Sequence, residues 1–361
     1  MSRARDRSAA VPAALVKCVV WDIDNTLLAG VYLESGDDPP GADPVMAQVL
    51  AELGGRGILH AVASKNPPEA AAHAARVTGC DFAAVECGWG AKSAALTRIA
   101  YGLAIGTGTL AFVDDDPYER AEVSAALPQV FVLAPEEAAE AVRWPEFSPP
   151  VLTAEGRRRG EMYAARRRRL AAERGFGGSR DEFLRWAGTR VTIAAAADDD
   201  AARLHELAVR TRQFNSAAQA TGQSRFAALI AAGDVVTVRL RDTFGDDGIV
   251  GGCVLERRPA SGWTVPLVMM SCRAMGRGVI EALLAWLART AAGSGATALE
   301  IPCLLTDRNV PLRLALASAG FRARGPAPSP GTPQVFRRDV MGPLPDLPAW
   351  VEAPEPAAGA R

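Results

Sequence analysis

Histidine is scarce in this chain, with three among 361 residues, at 60, 73 and 205. That is too few for an imidazole-rich metal site. The six cysteines, at 18, 80, 87, 253, 272 and 303, form no CxxC pair and have no regular spacing. They read as free thiols in a reducing cytoplasm, not as a disulfide framework. Net charge is almost absent: 40 Lys+Arg against 41 Asp+Glu leave -1. Bulk electrostatics therefore give no reason to expect a nucleic-acid partner. No apolar run approaches the roughly 20 residues needed to cross a bilayer, so no membrane association is expected. The stretch from Val11 to Val16 is also too short for the apolar region of a signal peptide.

What the chain does have is enough apolar material, 49% against 22% charged, to fill two or three ordinary cores. In the first half, short apolar runs alternate with Ala-rich helical stretches. Strand patterns cover 18–21, 58–62, 109–113 and 129–133, and helical patterns 44–53, 67–77, 92–103 and 117–127. Several of the helical stretches open with Pro near the first turn, where its missing N–H costs nothing. Such alternation predicts a doubly wound parallel sheet.

After a Pro-containing break at 144–150, Arg157–Arg159 and Arg166–Arg169 fall in one polar segment. It reads either as a solvated connecting helix or as a basic face for an acidic partner. A second α/β pattern follows, richer in strand. Strands are expected at 191–195, 235–240, 249–256, 264–271 and 298–304, and helices at 201–214, 225–232, 279–292 and 310–319. The expected organisation is a disordered 1–14, a first domain over 15–144, a linker with the basic helix over 145–188, a second domain over 189–341, and a Pro/Ala-rich tail over 342–361 that is expected to be disordered from Leu344.

The strongest chemical signal is Asp22-Ile23-Asp24-Asn25-Thr26, directly after the first strand pattern. In an open parallel sheet, ligands bind beyond the carboxyl ends of the strands. Ser64-Lys65-Asn66, Lys92 and Asp114-Asp115-Asp116 all fall at equivalent ends. A carboxylate such as Asp22 can attack phosphorus and divide hydrolysis into two easier steps. Asp24, two residues on, can protonate the leaving oxygen and then activate water. Oxygen ligands suit magnesium, for which Asp22, Asp24, Asp114 and Asp115 are the candidate set. Ser64 and Lys92 are the candidates for holding the phosphoryl oxygens. One DxD alone often only caps a helix. Five such residues at the right strand and helix ends make that reading poor.

DIDNT, the Ser of VASKN, the Lys of WGAKS and FVDDD resemble the four signature motifs of haloacid-dehalogenase (HAD) phosphatases. The run into Gly30-Val31 and the continuation Asp116-Pro117-Tyr118-Glu119-Arg120 resemble the FkbH-like subgroup more closely, although Leu28 stands where that subgroup often has Trp. In the second half, Arg273-Ala274-Met275-Gly276-Arg277-Gly278, then Asn309 and the ending Ala319-Gly320-Phe321, are similar to GNAT-type acetyltransferases. The resemblance implies a HAD-like doubly wound parallel sheet followed by a GNAT-like α/β domain. It implies magnesium as cofactor and transfer of a glyceryl unit from 1,3-bisphosphoglycerate to the phosphopantetheine arm of an acyl carrier protein, in a polyketide-type pathway. Leu316 replaces the Tyr that many GNAT enzymes place four residues before Gly320, which counts against ordinary N-acetylation.

By the same resemblance, a cysteine carries the glyceryl group, and Arg273, Gly276, Gly278 and Asn309 meet the carrier arm. Cys272 is the candidate, because a helix N-terminus near it would favour the thiolate; Cys18 is the rival. An inert, buried thiol is the plainer reading of Cys272. Arg210 to Asn215 is either a second ligand contact or a capped helix end with Phe214 in the core. Two other functions remain open at this level: a plain phosphatase with a non-catalytic carrier-binding module, and a catalytically dead scaffold.

Overall fold

The computed structural model describes residues 15–217, 221–258, 262–326 and 328–352. The segment expected to be a disordered N-terminus, 1–14, lies outside the described residues. The chain divides into two units after Arg167.

In the first unit the elements run β1 (Cys18–Trp21), α1 (Pro44–Gly55), β2 (Leu59–Ser64), α2 (Pro68–Thr78), β3 (Ala84–Cys87), α3 (Lys92–Leu103), β4 (Leu110–Val113), α4 (Pro117–Ala126), β5 (Phe131–Leu133), α5 (Pro135–Ala141) and α6 (Ala154–Arg157). Helix starts are set locally. Asp43 accepts from the backbone N of Val45 and Met46 at 2.9 Å each, and Asp116 accepts from Tyr118 N at 2.8 Å. Each is followed by Pro at the first helical position.

The strands form one parallel sheet in the order β3-β2-β1-β4-β5. Alternate residues of β1 serve two cores: Val19 and Trp21 pack on one face, Cys18 and Val20 on the other. Burial on both faces is why its sequence is a continuous apolar run. The chain moves outward from β1 to β2 and β3, then returns to place β4 on β1's other side. That reversal opens a crevice beyond the carboxyl ends of β1 and β4.

Helix α7 (Arg159–Gly175) begins in this unit and ends in the next. Several of its arginines bond within the chain. Arg159 donates to Gly57 O at 3.1 Å, Arg166 to Gly102 O at 2.6 Å, and Arg167 to Asp81 at 2.7 Å, all within the first unit. Arg169 forms a buried ion pair with Asp242, within the second. The expected linker 145–188 is thus divided: its first part packs with one unit and the remainder with the other.

The second unit continues with α8 (Arg180–Trp186), β6 (Arg190–Ala195), α9 (Ala201–Arg210), α10 (Gln223–Ala231), β7 (Val235–Asp242), β8 (Gly245–Arg258), β9 (Gly262–Met270), α11 (Val279–Gly293), β10 (Ala298–Cys303), α12 (Val310–Ser318), β11 (Arg322–Ala323), β12 (Gln334–Asp339) and β13 (Val351–Glu352). Its sheet has the order β11-β12-β10-β9-β8-β7-β6-β13 and is mixed. The parallel neighbours β9 and β10 pair only over Leu299 and Glu300. Further along, Phe214–Ser216 fills the gap. Met270 N donates to Phe214 O, Ser216 N to Val268 O and Leu304 N to Ser216 O, at 2.9 to 3.0 Å. Helix α9 therefore stops at Arg210, short of the expected 214, so that this segment can extend.

The part of the expected Pro/Ala-rich tail that is described is ordered. Strand β13 pairs parallel with β6, and Leu344, Leu347 and Trp350 pack against the main core. Apolar anchors spaced among prolines explain the difference from the compositional reading. Residues 353–361 lie outside the described residues.

Among the described residues no helix is long and apolar enough to cross a membrane. Trp350→Ala is expected to lower the stability of the second unit by about 2 kcal/mol, roughly half the cost of emptying a full core aromatic site. Urea unfolding of the purified chain measures it; an unchanged midpoint would mean that the segment contributes nothing.

Candidate active site

At the end of β1, Asp22 N donates to Val113 O at 2.9 Å, which fixes the carboxylate beside β4. The chain then turns sharply, with Asn25 in the left-handed region at φ 49. Ile23, Leu27 and Leu28 are driven into the core while Asp22 and Asp24 stay at the rim. Asp114 follows β4, and its Oδ1 accepts from Asp116 N at 2.9 Å. Carboxylate oxygens of Asp22, Asp114 and Asp115 lie within 4.8 Å of one another.

Lys92, the first residue of α3, joins this cluster from another strand end. Its ammonium donates to Asp22 Oδ1, to Ala63 O at 2.8 Å and to Asp114 Oδ2 at 3.0 Å. All three protons are committed. The residues surround a cleft of about 230 Å³, which Ser64 and Asp24 also line.

The electrostatics follow from burial. Asp22 is pushed up to about 6, mainly by desolvation, with Lys92 opposing the shift and Asp114 adding to it. Asp114 is also raised by burial, against Lys92. Burial alone would lower Lys92, but Asp22 and Asp114 more than offset it, so its pKa lies above the ordinary lysine value. Three carboxylates with no nitrogen or sulfur donor among them suit a hard divalent cation such as magnesium.

The structure thus brings Asp22, Ser64, Lys92, Asp114 and Asp115 together as the sequence suggests. Asp24 is the exception in the ligand set. Its Oδ1 accepts from Tyr32 N and its Oδ2 from Asn66 Nδ2, each at 2.9 Å, and its carboxylate is not part of the ligand cluster. Sequence reading placed Asn66 in this polar cluster but gave it no role; its amide also donates to Ser64 Oγ at 3.1 Å, and its Oδ1 is buried with no partner. The available sign was its place two residues after Ser64. Sequence reading missed the rim ion pair Lys65–Glu119, which nothing in the sequence couples.

The expected residues of the second unit fare differently. Cys272 is half-buried and opens a 3-10 turn (Cys272–Ala274), in the segment that precedes α11 at Val279. Arg273 is in the same turn. It is buried, with Nε 3.7 Å from Asp247 Oδ1.

Gly276 and Gly278 have φ of 71 and 68, and a Cβ on them would come within 2.2 Å of the Arg180 guanidinium and 2.5 Å of the Trp350 ring. Side chains of the same chain thus lie where a Cβ at either position would project. Asn309 is buried and donates to Leu304 O at 2.7 Å and Asn215 O at 3.3 Å. Leu316 is fully buried. The rival thiol, Cys18, is also fully buried, donates to Val19 O and is pushed far above the ordinary thiol range by desolvation. That removes it as an accessible nucleophile.

No protein-family model and no curated protein matches the chain. Solved structures similar to the first part include the N-terminal part of the protein BF1531 from Bacteroides fragilis, containing a phosphatase domain complexed with Mg. It is 27% identical, with 37% of this chain and 39% of that chain covered and a TM-score of 0.32. The 3-deoxy-D-manno-octulosonate 8-phosphate phosphatase from Moraxella catarrhalis is 20% identical, with 32% and 64% covered and a TM-score of 0.27. A GNAT-family acetyltransferase from Listeria monocytogenes is 12% identical, with 41% and 93% covered and a TM-score of 0.32.

Lys92→Met leaves Asp22 and Asp114 facing each other without their shared cation. At pH 7 without metal this is expected to cost about 3 kcal/mol. The folded-state pKa of Asp22 then climbs further above its unfolded value of roughly 3.9. The folded protein holds protons that the unfolded chain releases, so stability falls as pH rises. The deficit should shrink toward pH 4; urea unfolding at several pH values reads it, and a pH-independent deficit would refute this account.

Proposed function

We propose that the N-terminal unit is a magnesium-dependent phosphatase of the HAD type in which Asp22 is the nucleophile. The observation that carries this reading is the buried Lys92 ammonium, which holds Asp22 and Asp114 beside Asp115 in one cleft beyond β1 and β4.

Asp22 attacks phosphorus, forming an aspartyl phosphate as the bond from phosphorus to the leaving oxygen breaks. Asp24, oriented by Tyr32 N and Asn66, gives its proton to that oxygen. It then takes a proton from water, which attacks the aspartyl phosphate and releases inorganic phosphate. Ser64 and Lys92 bind the phosphoryl oxygens, with Lys92 exchanging one of its three present acceptors for the incoming anion. Magnesium, held by Asp22, Asp114 and Asp115, supplies the positive charge that offsets the phosphoryl oxygens.

The finer reading is glyceryl transfer. The Cys272 thiolate attacks the acyl carbon of 1,3-bisphosphoglycerate, forming a thioester and expelling phosphate. The first unit then removes the remaining phosphate, and the thiol of an acyl carrier protein's phosphopantetheine arm takes over the glyceryl group, freeing Cys272. Motif resemblance over both halves supports this, as does the half-buried position of Cys272 against the sealed Cys18. The second reading is a plain phosphatase with a GNAT-like module that only binds the carrier. It is favoured by Leu316, a buried apolar side chain that offers no acid where many GNAT enzymes place a Tyr.

Asp22→Asn is expected to cut phosphate release at least about a thousandfold with the fold intact, and chelation of magnesium should do the same to the unaltered chain. Turnover that survives in Asp22→Asn would refute the nucleophile. Intact mass measured after incubation with Mg²⁺, 1,3-bisphosphoglycerate and a holo carrier separates the two readings. A glyceryl adduct on the carrier, lost in Cys272→Ala, supports transfer; phosphate release without any adduct favours the plain phosphatase.

A further inference from the structure

The segment 28–43, which joins β1 to α1, is gripped by a side chain that the proposed chemistry leaves unused. The base of this loop is zipped to itself. Ala29 N donates to Gly41 O at 3.0 Å, Asp43 N donates to Leu27 O at 2.9 Å, and Leu28 bridges Ala42. Beyond that base, the buried side chain of His73, from the middle of α2, reaches both arms. Its ring lies against the Tyr32 ring on the outgoing arm, with centroids 5.6 Å apart and planes at 45°. Its Nε2 is 2.8 Å from Pro40 O on the returning arm.

A carbonyl oxygen only accepts, so Nε2 carries a proton and donates it to Pro40 O. The other ring nitrogen, Nδ1, then faces Arg76 Nη2 at 3.5 Å on the same helix. His73 is therefore tied to the loop by direction as well as by volume. An apolar residue of similar size could fill the space, but it could not hold Pro40 O. What the grip secures is Asp24. Its Oδ1 accepts from the Tyr32 backbone N–H at 2.9 Å, and its Oδ2 from Asn66, which stands two residues past the end of β2. Tyr32 has no strand behind it. It opens a 3-10 turn (Tyr32–Glu34) that runs on into the exposed residues Gly36, Asp37 and Asp38.

We infer that His73 is a positioning residue for the general acid. By joining Tyr32 to Pro40 it holds the Tyr32 N–H against Asp24, and so aims the Asp24 carboxyl at the leaving oxygen. The catalytic meaning of this grip rests on the phosphatase reading above; the grip itself is a property of the loop. Neither His73 nor Tyr32 lines the Asp22 cleft, so both act through Asp24. A catalytic group displaced by about an ångström costs on the order of a hundredfold in rate. Proton donation matters most where the leaving oxygen departs poorly. Loosening the loop therefore penalises poor leaving groups selectively, which the loss of a merely structural side chain would not do.

The test measures kcat/KM of the full chain with Mg²⁺ on phenyl phosphate and on p-nitrophenyl phosphate, of which the first has the poorer leaving group. His73→Leu, His73→Gln and Tyr32→Ala are compared with the unaltered chain. In His73→Leu and Tyr32→Ala, kcat/KM on phenyl phosphate is expected to fall at least about tenfold further than on p-nitrophenyl phosphate. His73→Gln, whose amide can still donate to Pro40 O, should recover most of that difference. Equal losses on both esters, or a His73→Gln no better than His73→Leu, would overturn the positioning role. Amide hydrogen exchange in EDTA needs no turnover and reads the grip directly. The Tyr32 amide should lose protection in His73→Leu and keep it in His73→Gln; unchanged protection in His73→Leu would overturn the grip. Hydrolysis of neither ester by the unaltered chain, or hydrolysis that survives in Asp22→Asn, would instead remove the phosphatase reading and the part of His73 in it, while exchange still decides the grip.

Discussion

Two buried carboxylates, Asp22 and Asp114, cannot face each other without a cation to hold them, and Lys92 is that cation in this chain. Its ammonium spans Asp22 on β1, Asp114 on β4 and the carbonyl of Ala63 on β2. Three adjacent strands are therefore tied at their carboxyl ends by one side chain supplied from the start of α3. The arrangement stores electrostatic tension. Asp22 keeps a raised pKa despite its ion pair, because desolvation outweighs the attraction. A site of this kind is poised to accept further positive charge, which a divalent cation provides, and then an anion.

The fold supports this constraint through strand order more than through loop design. Because β1 lies between β2 and β4, the residues just after all three strands reach the same crevice, though they are far apart in sequence. The cap at Asp116 starts α4 at Pro117, soon after β4 ends at Val113, and so keeps that connecting turn short. Asn66 then links two of the functional groups, since one amide serves both Asp24 and Ser64.

The parts of this that were legible in the sequence share one property: an apolar run followed directly by polar residues. That signal located Asp22, Ser64 and Asp114, and with them the parallel sheet. It failed for β3, a four-residue edge strand whose Ala-Val-Glu-Cys pattern is only half-buried. It was silent about Arg273, whose turn and buried ion pair leave no mark in the pattern. The glycines 276 and 278 were correctly marked as special. Sequence could not show that Arg180 and Trp350 of the same chain are what lie against them. Composition likewise misjudged the C-terminal segment, because three or four apolar anchors outweigh many prolines once a groove exists to receive them.

The segment Phe214–Ser216 has a consequence of its own. By bonding to Val268 and Met270 on one side and Leu304 on the other, it completes a sheet whose two halves pair directly only over Leu299 and Glu300. The coherence of that eight-stranded surface thus hangs on three residues of a connecting loop, borrowed as a rivet. Anything that seats against the neighbouring Arg212 or Asn309 presses on the joint that keeps the two halves together.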